Sequence, residues 1–142
     1  MRPVNESLPM LLMRARETTM SFFRPILSAH GLSEQQWRVL RVLYEEPEAS
    51  AQVLAQNCYI LSPSLTRILN RLEQEKLISR RRAENDMREQ RISLTPKARA
   101  LVEELSPVLE AEYGRIQERI SPQALDELYK LLRKMIEITG QE

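Results

Sequence analysis

One cysteine, Cys58, and one histidine, His30, are all that 142 residues offer. That excludes an internal disulfide framework and cysteine-rich zinc sites, and leaves too few ligands for a catalytic or metal cluster. There is no paired Ser/His/Asp set, no Cys/His pair at helpful spacing and no glycine-rich phosphate loop. Enzyme chemistry is therefore poorly supported and no cofactor is expected. The longest apolar stretches, such as Pro9 to Met13, fall far short of a membrane span, and the N-terminus lacks a cationic start followed by an apolar run. A cytoplasmic chain with no membrane partner is expected. Repeats, low-complexity tracts and flexible linkers are also missing, so residues 1–142 read as a single domain. A chain of this length buries roughly 68–70% of its unfolded surface, enough for a core without disulfides or a metal.

The net charge of +1 hides an uneven distribution. Residues 1–61 carry six Lys/Arg and six Asp/Glu, residues 62–99 carry ten and five, and residues 100–142 carry five and nine. A basic centre between a neutral and an acidic arm suits a polyanion partner at the centre.

Scarce glycine and well-placed proline make helix starts legible. Ser62-Pro63, Thr95-Pro96 and Ser121-Pro122 each offer a capping hydroxyl followed by proline at the first helical position, and Ser33 forms a capping box with Gln36. These signals predict helices over 7–29, 33–45, 51–57, 62–76, 96–118 and 122–138. His30-Gly31 stops the first helix, and Pro25 is expected to kink it or break its register. Two short segments able to extend, 77–82 and 89–94, flank a polar turn and predict a β-hairpin. The fold class is mainly α with a small β-hairpin.

Helices 51–57 and 62–76 lie about four residues apart, the spacing of a helix-turn-helix. On the second, Leu65, Ile68, Leu69 and Leu72 form the buried stripe, while Ser64, Thr66, Arg67, Asn70 and Arg71 cover the other side. That outer face has no acid over three turns; Glu73 and Glu75 come only at its end. Arg pairs bidentately with guanine, Asn with adenine, and Ser or Thr with phosphates or bases, while the helix N-terminus beside Ser62 attracts phosphate. The hairpin adds Arg80, Arg81, Arg82, Arg88 and Arg91, and a two-stranded ribbon beside a recognition helix places its tip in the adjacent minor groove. A winged helix-turn-helix on double-stranded DNA is the expectation. A helical adaptor dimer that binds only protein is the competing class, and salt-sensitive retention on DNA separates the two.

Asp86-Met87-Arg88 followed by Leu94-Thr95 matches the wing signature of the MarR-type transcriptional regulators, D-x-R-x(5)-L-T, and Gly31 to Trp37 resembles that family's entry into its second helix. Within the family, Phe22-Phe23-Arg24-Pro25, His30-Gly31-Leu32 and Gln35-Gln36-Trp37-Arg38 resemble the repressors of homoprotocatechuate (4-hydroxyphenylacetate) degradation operons. The resemblance covers essentially the whole chain. It implies a homodimer on a palindromic operator, with 1–30 and 96–142 as dimerisation helices and 31–95 as the DNA-binding lobe. Asp86 is implied to set the wing loop by pairing with Arg88. A small phenolic or aromatic carboxylic acid is the implied effector, releasing the DNA of an aromatic-acid catabolic operon; regulation of another efflux or stress operon is the alternative. Apolar stripes on the last two helices, Leu101, Leu105, Val108, Leu109 and Ile116 on one and Leu125, Leu128, Leu132, Met135 and Ile136 on the other, suit either a dimer interface or an intramolecular core.

On the first helix, Met20, Phe23, Leu27 and His30 all fall within about 40° of Arg16 on an ideal helix, so this cation shares an apolar stripe. A guanidinium buried there needs an anion, which is either a protein carboxylate or that of an aromatic acid. Trp37 and Arg41 lie beside the Leu40 and Leu43 core face of the next helix. Arg16, His30, Trp37 and Arg41 form the candidate effector set, with Ser28 added although it is out of phase. The competing reading is a salt-bridged arginine, a core tryptophan and a hydrogen-bonded histidine. Cys58 is expected to be a small buried residue rather than an oxidation sensor.

Overall fold

In the computed structural model of this chain, residues 1–84 and 86–140 are described, those at 86–88 and 140 by backbone alone. The order is α1 (Leu8–Ala29), α2 (Glu34–Glu45), α3 (Ala51–Cys58), α4 (Ser62–Gln74), β1 (Ile78–Ala83), β2 (Asp86–Leu94), α5 (Pro96–Ile120) and α6 (Pro122–Gly140), after a short 3-10 turn at Val4–Glu6. The predicted helices are all present, with ends within two residues of those expected.

Local chemistry explains most boundaries. Ser33 Oγ accepts from the Gln36 amide at 3.1 Å while Gln36 Oε1 accepts from the Ser33 amide at 2.9 Å, completing the capping box of α2. Thr95 and Ser121 hydroxyls cap α5 and α6 by accepting from the Ala98 and Ala124 amides. The α4 start differs from expectation. Its cap is Leu61, whose carbonyl accepts the first helical bond from the Leu65 amide at 2.9 Å, so Ser62 and Pro63 already lie inside the first turn. At that position the Ser62 hydroxyl is too far along the helix to fold back as a cap, and the Leu61 side chain makes no capping bond at this N-terminus.

Helix α1 runs unbroken through Pro25 and ends at Gly31, which takes φ +71°. There the Leu32 amide reaches the Leu27 carbonyl and the Gly31 amide reaches that of Ser28, a paired closure that needs a left-handed residue. The same device ends α4 at Lys76 (φ 61°), while α3 ends at Tyr59 (φ 55°) with the Tyr59 and Ile60 amides both on the Ala55 carbonyl; neither left-handed residue is glycine. The hairpin is longer than predicted. β1 and β2 pair antiparallel from Ile78↔Leu94 to Arg82↔Gln90, and the register then shifts so that Ala83 pairs with Asp86. Ala49, just before α3, exchanges both backbone bonds with Ile92, docking the hairpin against the helix-turn-helix.

The chain divides into two compact units, Arg24–Val108 and Met1–Phe23 with the chain from Leu109 onward. The first is the helix-turn-helix lobe. It takes in the end of α1 and the first half of α5, beyond the 31–95 expected, because Leu27, Ala98, Val102 and Leu105 are buried in it alongside Leu40, Leu43, Leu54, Leu65, Leu72 and Ile92. In the second unit Phe23 packs on Tyr113 with ring centroids 5.0 Å apart, and Arg115 lies over the Phe22 ring. Much of its apolar surface is exposed on the single chain, including Leu8, Leu11, Met13, Leu128, Leu131 and Ile136. Among the described residues no helix is long and apolar enough to cross a membrane.

Cys58 is fully buried, with its carbonyl accepting from Arg38 at 2.7 Å. Burial pushes its thiol pKa up, with Arg38 opposing in part. Iodoacetamide should therefore label Cys58 far more slowly in the native protein than in urea; equal rates would show that the thiol is accessible. Above the ordinary thiol range the unfolded chain releases a proton that the folded one keeps, so stability should fall as pH rises through it.

Candidate nucleic-acid interface

Helix α4 carries the chemistry, and its buried side explains its placement. Leu65, Leu69 and Leu72 lie in the core at 1%, 3% and 0% exposure, which turns the opposite face to solvent. Ser62, Thr66, Arg67, Asn70 and Arg71 are exposed and Ser64 is half-buried. Thr66 donates its hydroxyl hydrogen back to the Ser62 carbonyl at 3.0 Å, leaving its lone pairs outward. The Leu61 side chain makes no capping bond to the first-turn amides of Ser62 and Ser64, and Pro63 has no N–H.

The cations divide into held and unheld. Arg71 is paired with Glu75 one turn on, at 2.7 Å. Arg81 is paired with Glu48, and Arg91 lies 3.4 Å from Glu89, which relieves the like charges that pairing places directly opposite each other. Arg67 and Arg82 have no carboxylate partner among the described residues, and both are exposed. Arg80 belongs to neither class. It shares the β1 face of the buried Ile78, two residues before it, and turns toward α4. There it donates to Asn70 Oδ1 at 2.8 Å, with Nε 3.6 Å from Glu73 Oε2. Period-two alternation from Ile78 was the signal that separates it from Arg81. The pairing expected between Asp86 and Arg88 involves side chains that lie outside the described ones.

A surface that combines an acid-free helix face carrying the unpaired Arg67 with the unpaired Arg82 of the adjoining hairpin suits a duplex polyanion. Residues 32–90 match the sequence profile described as the MarR family. The homoprotocatechuate degradative operon repressor of Escherichia coli is 40% identical over 133 residues, spanning 94% of this chain and 90% of the repressor. This chain belongs to the MarR family. Among solved structures, the transcriptional regulator PA4135 has a TM-score of 0.89 at 42% identity, covering 96% of this chain and 98% of the other. NadR in complex with 4-hydroxyphenylacetate has a TM-score of 0.85 at 34% identity, covering 95% and 98%. The mainly α fold with a hairpin wing, read from the sequence, is thus that of MarR-family structures.

The residues singled out for an effector lie in different units of this MarR-family chain. Arg16 belongs to the unit containing Phe23 and Tyr113, Ser28, His30, Trp37 and Arg41 to the lobe. Arg16 is not buried on the single chain, being 48% exposed, and lies 3.8 Å from Glu17 Oε1. Ser28 and His30 are exposed and Trp37 is half-buried. Arg41 pairs with Glu45 at 2.9 Å and lies 5.8 Å from the Tyr44 ring centre. His30 Nδ1 donates to the Ile26 carbonyl at 2.9 Å, since a carbonyl only accepts; in the neutral ring Nε2 is therefore an acceptor. Among the described residues no group of three or more His, Cys, Asp or Glu could hold a metal.

Proposed function

We propose that this protein is a homodimeric, ligand-responsive repressor in which α4 enters the major groove of a palindromic operator and the hairpin reaches the adjacent minor groove. Its domain plan is one MarR-like domain, with the lobe reading DNA and the terminal helices pairing with those of a second copy. The carrying observation is the outer face of α4, where Ser64, Arg67, Asn70 and Arg71 stand over a fully buried leucine stripe with no acid for three turns. Two α4 helices in a dimer reach half-sites whose centres lie about 10 bp apart. Arg67→Ala should weaken operator binding by roughly 1–3 kcal/mol and relax base preference at one position of each half-site. Unchanged affinity and preference in a gel-shift titration would remove Arg67 from the contact set. Ser62, Ser64, Thr66, Arg71, Arg82 and Arg88 serve chiefly as phosphate and groove contacts in this reading, with Asp86 shaping the loop that carries Arg88.

The effector is proposed to be a phenolic acid of the 4-hydroxyphenylacetate type, and the operon one of aromatic-acid catabolism. Support comes from the relative that represses a homoprotocatechuate operon and from the structural neighbour bound to 4-hydroxyphenylacetate. Arg16 is the proposed carboxylate partner, and Ser28, His30, Trp37 and Arg41 of the lobe are the proposed residues for the aromatic end. Effector binding releases DNA only through differential affinity for two dimer states; a coupling of about 1–3 kcal/mol lowers operator affinity roughly 5- to 150-fold. A DNA-binding titration with and without 4-hydroxyphenylacetate and its 3,4-dihydroxy analogue tests the switch. Calorimetry tests the site: Arg16→Ala should lose most of the heat of phenolic acid binding. Full-strength binding by Arg16→Ala would place the carboxylate elsewhere.

A further inference from the structure

Arginine has hydrogen-bond donors and no acceptor, so the Asn70 side-chain atom facing the Arg80 guanidinium at 2.8 Å is the amide oxygen. That contact fixes which way the amide points. Arg80 is itself seated: its side chain is only 18% exposed, Glu73 lies one turn along α4 from Asn70, and the backbone beneath is paired with Ile92. Asn70 remains exposed, and its two Nδ2 hydrogens are what it presents outward. An asparagine reads adenine by accepting from N6–H while donating to N7, which requires the oxygen. That oxygen keeps a second lone pair, but an incoming amino group would have to approach it beside the guanidinium charge, which repels a second donor there. The same charge polarises the amide and strengthens its N–H groups.

We infer that Arg80 is a specificity-determining positioning residue that turns Asn70 chiefly into a donor, favouring guanine, with acceptors O6 and N7, or thymine, with O4, over adenine, whose N7 acceptor stands beside an N6–H donor that the guanidinium repels. The inference rests on the proposed entry of α4 into the major groove.

The test is selection from a pool of duplexes randomised over two half-sites, scored by sequencing the bound fraction for wild type, Asn70→Ala, Asn70→Asp, Arg80→Met and Arg80→Lys. Wild type is scored first. Absence of salt-sensitive enrichment would overturn the DNA-binding reading and this inference with it. Given enrichment, Asn70→Ala should flatten one symmetry-related pair of positions, and in wild type those positions should hold guanine or thymine over adenine by at least about fivefold. Arg80→Met frees the oxygen and should raise adenine there to within about twofold of the preferred base, with all other positions unchanged. Arg80→Lys, which keeps charge and donor, should retain the wild-type preference. Asn70→Asp keeps a partner for Arg80 but loses both N–H donors, so it should lose the preference even if Arg80→Met fails to fold. The inference falls if wild type selects adenine at those positions, if no position responds to Asn70→Ala, if Asn70→Asp keeps the preference, or if folded Arg80→Met lowers binding evenly on all sequences.

Discussion

Leu72→Ala is expected to destabilise the DNA-binding lobe by roughly 2–5 kcal/mol, the usual cost of hollowing out a packed leucine site. Leu72 has no exposed surface, and it belongs to the stripe that holds α4 in place. Its carbonyl also accepts the Leu77 amide at 2.9 Å in the closure leading into β1, so the loss falls at the junction between recognition helix and hairpin. Against a typical domain stability of about 5–15 kcal/mol, such a change should visibly lower the urea midpoint with little change in slope. Operator binding should weaken in parallel as the folded fraction falls. A shift of less than about 1 kcal/mol would show that the space beneath α4 collapses readily, and that its position depends on something other than this stripe.

Glutamate at both Leu128 and Ile136 should convert the proposed dimer to monomer at micromolar concentration. These residues are 43% and 68% exposed on the single chain and lie eight apart on α6, with Leu132 between them, so they share a face. Fully burying each such side chain is worth about 1.5–3 kcal/mol, and four are removed per dimer and replaced by charges that must be desolvated. Sedimentation velocity gives the oligomeric state directly. Operator affinity should fall well beyond the loss from any single contact, since two half-sites would no longer be bound together. An unaltered sedimentation coefficient would put the pairing surface elsewhere.

Much of this architecture was legible because its signals are local. Ser33 with Gln36, Thr95 with Pro96 and Ser121 with Pro122 mark helix starts through bonds spanning three residues, and the Leu65 to Leu72 stripe follows from helical period alone. What escaped notice depends on partners distant in sequence. The Leu61 cap reflects how α3 hands over to α4, and the Ala49–Ile92 pairing joins residues 43 apart with no pattern at either end. Tyr59 and Lys76 take left-handed backbone without glycine because the closures they complete offset the strain. At the candidate interface, composition located the arginines but not their partners. Arg71, Arg81 and Arg91 are held by carboxylates and Arg80 by an amide, so fewer cations face outward than a count suggests.

The docking of the hairpin bears on what kind of DNA site suits this lobe. Ala49 with Ile92, the Thr95 hydroxyl with the Lys76 carbonyl at 2.8 Å, and Arg80 with Asn70 tie the hairpin to the helix-turn-helix at three separate places. Helix and ribbon therefore behave as the two points of a gauge with a set gap. If both engage DNA as proposed, one base pair inserted between their footprints would displace one point by about 3.4 Å along the duplex and turn it around the axis as well, so that both could not be seated together. Each half-site is in this sense a phrase of fixed length, whose spelling tolerates single-letter changes better than an added letter.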